Sequence, residues 1–137
     1  MAALNETRNV GCEAGLASQG LLVKMSDTDG LVEIATAKGD LVVGVTAAES
    51  SRDADSALEA PGTVAVYPLS GIVYIKYGET VAGGIDFGAP IYVDDTVDGH
   101  CTHNLDTSGK LLGNYFGESN LALTSGDLIP VACGRWS

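Results

Sequence analysis

Basic residues are scarce in this chain. Seven lysines and arginines stand against 18 aspartates and glutamates, a formal net charge of −11 over 137 residues. A surface of that sign repels phosphate, which argues against direct nucleic-acid binding and against docking on an anionic membrane. Long apolar runs are missing too. No stretch reaches the roughly 18 residues that a membrane span requires. Residues 1–8 show no basic stretch leading into an apolar one, so neither a leader nor an anchor is expected, and the chain is expected to be made and kept soluble in a cytoplasm. Cysteine is sparse: Cys12, Cys101 and Cys133 are odd in number and form no Cys-x-x-Cys unit, which points to buried thiols acting as small apolar residues.

Two explanations of the acidity stay open. One is a basic or mixed-charge partner. The other is a salt-rich host, in which repulsion among carboxylates is screened to a few ångströms. Aspartate outnumbers glutamate and only four lysines are present (Lys24, Lys38, Lys76, Lys110), which favours the second.

What is abundant is glycine, 18 residues spread through the chain between short apolar runs. That spacing is the mark of strands joined by turns, and the size is that of one domain. Strands are expected near 20–25, 31–37, 41–47, 63–69, 72–77, 90–93, 100–103, 111–116 and 128–133, where valine, isoleucine and tyrosine concentrate. Turns are expected at Asp27-Thr28-Asp29-Gly30, Lys38-Gly39-Asp40 and Asp98-Gly99. Val64 to Leu69 and Ile72 to Ile75 flank Ser70-Gly71 and are apolar on both alternating faces, as strands covered on two sides would be. A small β-barrel or tight sandwich meets that demand and removes open edges. Residues 1–19 carry little strand pattern and read as an extended N-terminal arm, with the barrel-like domain over 20–137. Residues Ala48 to Gly62 read as a long acidic loop. No helix beyond about two turns is expected.

Catalytic templates find little to match. His100-Cys101-Thr102-His103, near Asp94, Asp95 and Asp98, has the composition of a metal site. Strand alternation, however, puts only Cys101 and His103 on one face, and no second ligand pair lies at zinc spacing. Asp94 to Gly99 lacks the closing glutamate of a calcium loop. No Gly-x-Ser-x-Gly or cysteine-protease signature appears. Gly83 to Gly88 is glycine-rich but has no phosphate-loop lysine. The tyrosines lack the interleaved basic residues of a nucleic-acid platform, Lys76 excepted, and fit packing and cross-strand pairing better. No enzyme, metal or cofactor is expected.

The ordered segments Leu41 to Ala47, Pro61 to Val66, Gly71 to Tyr74 and Val81 to Asp94, the turn at Gly99 and Thr102, and then Leu111 to Phe116 and Gly126 to Val131 resemble the capsid decoration (cement) proteins of tailed phages. The resemblance covers roughly Gly20 to Gly134 and rests on short, glycine-based motifs. The long acidic loop and the N-terminal segment depart from the pattern. The resemblance implies a β-barrel or sandwich that forms a homotrimer. It would sit on the outer capsid surface at three-fold or quasi-three-fold positions, with the major capsid protein as partner. Leu4 and Arg8 in the arm, and Trp136 near the C-terminus, are the candidate contact residues. The alternatives are a tail or spike component of a phage particle, and a non-viral barrel binding a metal or small molecule.

Overall fold

A computed structural model of the chain describes residues 8–12, 19–27, 30–37, 39–47, 62–104 and 110–134. It is all-β. Ten strands run in the order β1 (Arg8–Cys12), β2 (Leu22–Met25), β3 (Leu31–Ile34), β4 (Val42–Thr46), β5 (Gly62–Tyr67), β6 (Gly71–Lys76), β7 (Pro90–Val93), β8 (Cys101–Thr102), β9 (Leu111–Tyr115) and β10 (Leu128–Cys133). The first five close a barrel in the order β1-β3-β2-β4-β5, and the last five form a sheet in the order β6-β10-β9-β7-β8. All pairings between strands are antiparallel except β1 with β3.

Residues 8–12, read from the sequence as part of an arm, are a barrel strand instead. β1 lies parallel to β3, with Gly11 opposite Leu31, and antiparallel to β5, with Val10 opposite Val64. It is the piece that closes the ring. The expected acidic loop lies outside the described residues up to Gly62, which opens β5.

Two cores follow from strand alternation. Inside the barrel pack Cys12, Leu21, Val23, Val32, Val64 and Val66. Between barrel and sheet pack Leu22 and Val45 from one side, and Val73, Ile75, Ile91, Val93, Ile129 and Val131 from the other. Consecutive residues Leu22 and Val23 therefore feed different cores, which is why β2 is apolar on both faces. Full burial of such a side chain stabilises by about 1.5–3 kcal/mol.

β5 and β6 meet the two-sided expectation only in part. They are consecutive but belong to different sheets, with Pro68-Leu69-Ser70 as the crossing. β5 is covered on both faces, Val64 and Val66 inside the barrel and Tyr67 against the second core. β6 is covered on one face only, since Tyr74 is 58% exposed.

Gly99 ties the halves together. Its amide donates to the Ala35 carbonyl at 2.7 Å and its carbonyl accepts from Leu22 N–H at 2.8 Å, so the expected Asp98-Gly99 turn plugs into the end of the barrel. Its φ of 76° suits glycine, and a Cβ there would meet the Ile34 side chain at 2.8 Å.

Candidate functional site

Sheet register assembles the most conspicuous surface feature. On β10, Val131 faces inward and lies opposite Val73 on one side and Tyr115 on the other. The neighbouring position, Pro130, therefore points outward. It stands opposite Tyr74 of β6, and its carbonyl accepts from Phe116 N–H at 2.9 Å. Tyr74, Pro130 and Phe116 thus form one row across β6, β10 and the residue that follows β9. Phe87 extends it, its ring centroid 5.1 Å from that of Phe116 at a tilt of 49°.

The Phe87 loop is pinned beneath this contact. Gly88 N–H donates to the Tyr115 carbonyl at 2.7 Å, the Asn114 side chain donates to the Gly88 carbonyl at 2.9 Å, and Phe87 N–H donates to Ser119 Oγ at 2.9 Å. Despite that fixity the rings stay in solvent, with Phe87 58% and Phe116 46% exposed. Leu128, two positions from Pro130 on β10, is also exposed. Contiguous exposed apolar patches are commonly interaction surfaces, whereas scattered exposed apolar residues carry no such meaning.

Beside the row runs a groove of about 350 Å³ between sheet and barrel. Ile72, Tyr74 and Leu128 line it from the sheet, and Thr46, Ala47 and Tyr67 from the barrel. Tyr74 belongs to both features.

A second cluster lies where β8 meets the end of β6. Tyr77 and His103 hydrogen-bond through the phenol oxygen and Nδ1, with their rings stacked at 6.0 Å. Glu79 accepts from Thr102 Oγ1 and from the Asn104 side chain. Asp94 is buried; its Oδ1 accepts from Thr96 N–H at 2.8 Å and Thr96 Oγ1 at 2.7 Å, and its Oδ2 has no partner among the described residues. Burial, followed by the charges of Glu79, Cys101 and Asp94, pushes the Tyr77 hydroxyl well above the ordinary tyrosine range. Burial and the Asp94 carboxylate do the same to the Cys101 thiol. Both therefore stay protonated at neutral pH, so neither is poised as a base or nucleophile.

This cluster contains the residues whose composition resembled a metal site. Cys101 is in the core, His103 is partly exposed against Tyr77, and the His100 ring turns to the Asp98 carbonyl at 2.8 Å. Among the described residues no three His, Cys, Asp or Glu side chains converge as metal ligands would.

No family model matches the chain. No curated protein matches it either.

Of the contact residues named from sequence, Leu4 and Trp136 lie outside the described residues. Arg8 opens β1 opposite Val66, and its side chain is likewise outside them. The aromatic row was not singled out from sequence. Its members are 13 to 56 positions apart, and only the register brings them together. A usable signal was Pro130 inside a strand, because proline there implies a backbone position free of a ladder donor.

Proposed function

We propose that the protein is a structural virion subunit that binds the outer surface of a capsid lattice and stabilises it, as a homotrimer on the major capsid protein. The observation that carries this reading is the row Tyr74–Pro130–Phe116–Phe87, an exposed apolar strip on a sheet whose other face is fully packed. A clamp needs adhesive surface on a stiff body, and rigid aromatic groups give contact area at little entropic cost. The strip suits a shell contact, and the ordered motifs resembling cement proteins give the partner its identity. Three copies per axis would add modest contacts into strong overall attachment. The net charge of −11 supports a place outside the shell, away from packaged nucleic acid, and suits a salt-rich medium. Binding by surface contact needs no catalytic step, and the protein acts without one.

Co-sedimentation tests the reading. Purified protein mixed with shells that lack it should pellet saturably, in whole-number ratio to the three-fold positions. Protein left in the supernatant at every concentration would refute the proposal.

A further inference from the structure

Among the described residues β6 is an edge strand, and part of its backbone is unpaired. It is the terminal strand of its sheet, and β10 is its only strand neighbour among the described residues. The Pro130 carbonyl turns towards β9, where Phe116 N–H takes it, so the alternation of an antiparallel ladder gives Val73 and Ile75 to β10. Ile72, Tyr74 and Lys76 then point their amides and carbonyls the other way. Lys76 N–H is satisfied by the Gly20 carbonyl at 2.8 Å. Ile72 and Tyr74 have no such partner among the described residues. The groove of about 350 Å³ opens along this bare stretch.

An edge of this kind is a template for another strand, and proteins that do not use such edges blunt them with charge, proline or a bulge. The bare stretch of β6 carries none of these, since Ile72 and Tyr74 are apolar and the β6–β10 register is unbroken. We propose that the groove binds an extended segment of a partner chain, added as a strand to β6, with apolar residues facing the groove and lysine or arginine at the alternate positions. The apolar half follows from the lining, which includes Ile72, Tyr74, Leu128, Ala47 and Tyr67. The basic half follows from charge. The net charge of −11 attracts a lysine- or arginine-bearing segment and repels an acidic one. In strand addition the main chain supplies affinity and alternate side chains supply specificity. The inference stands on the edge and the groove, and does not depend on the capsid reading.

Amide hydrogen exchange on the full chain tests it, with a short peptide of alternating valine and lysine as probe and its valine–glutamate counterpart as control. The valine–lysine peptide slows exchange at Ile72 and Tyr74 by tenfold or more, and the glutamate peptide does not. Ile72→Pro removes the edge donor without touching a β10 bond and abolishes the protection. Ala47→Arg, which fills the groove and repels the probe, does the same, so the test survives if the proline variant fails to fold. No protection by either peptide overturns the proposal, as does equal protection by both. Protection already present in the free chain also overturns it, by assigning the edge to the chain's own segment if independent of concentration and to a second copy if not.

Discussion

Tyr74 and Pro130 stand opposite each other on β6 and β10, both on the outward face of the sheet, with Phe116 next in the same row. The pairing brings an aromatic ring and a pyrrolidine ring together where ladder chemistry costs nothing. Pro130 has no amide proton to lose, and its carbonyl is used by Phe116. A flat apolar surface results without an exposed backbone donor at its centre. It follows that the row can be altered without altering the fold.

Replacing Tyr74, Phe87 or Phe116 by serine is expected to change unfolding stability by about 1 kcal/mol or less, since each ring is half in solvent. Shell binding by the same variants is expected to weaken by ~2 kcal/mol at the central positions, roughly thirtyfold. Thermal unfolding set beside binding isotherms separates the two effects. Equal loss in both would mean that the row is structural.

Gly44 has no room for a side chain. A Cβ there would sit 2.3 Å from Val66 Cγ1 and 2.5 Å from the Tyr67 carbonyl oxygen, and backbone cannot yield as a side chain can. Gly44→Ala is expected to destabilise by about 1–3 kcal/mol, measured as a lower denaturant midpoint. Gly83→Ala, with open space around it, is the control and should be nearly silent.

Asp40 organises the β3–β4 connection. Burial alone would raise its pKa, but hydrogen bonds from Ala37 and Thr36 N–H, with Lys24 alongside, outweigh that and hold it below the ordinary aspartate value. A carboxylate with a lowered folded-state pKa stabilises the fold fully above its unfolded value, and that stabilisation disappears as pH falls through the folded one. Wild type should therefore exceed Asp40→Asn in stability by ~1 kcal/mol at neutral pH, and the gap should close in acid. Urea unfolding of both proteins across that pH range provides the check. A gap independent of pH would mean that the charge contributes nothing.

The thiols should be silent in the native state. Cys12, Cys101 and Cys133 are all buried, and burial pushes Cys133 up to about 11. Alkylation at pH 8 should proceed only at the rate of unfolding and reach all three residues in denaturant. Rapid labelling of the folded protein would contradict this packing.

Much of the fold was legible in the residues. The strands expected at 90–93 and 128–133 match β7 and β10, and the other seven differ from β2 to β6, β8 and β9 only at their ends. Valine-rich runs between glycines carry that information locally. β1 was not legible because its inward pattern is only Val10 and Cys12, separated by glycine, and its partners on β5 are 50 to 58 residues away. The β5–β6 crossing was hidden for a related reason, since both runs look alike while only one is enclosed. The aromatic row is a product of register, which no single segment encodes.

In the proposed function, the outer face of the β6-β10-β9 sheet is the surface that clamps the shell. Imaging shells that lack the protein after incubation with it, with wild type beside a Tyr74→Ser, Phe116→Ser double variant, tests that most directly. Wild type is expected to give trimeric density at the three-fold and quasi-three-fold axes, with that sheet against the shell, and the variant bare axes. Bare axes with wild type, or unchanged density with the variant, would contradict it.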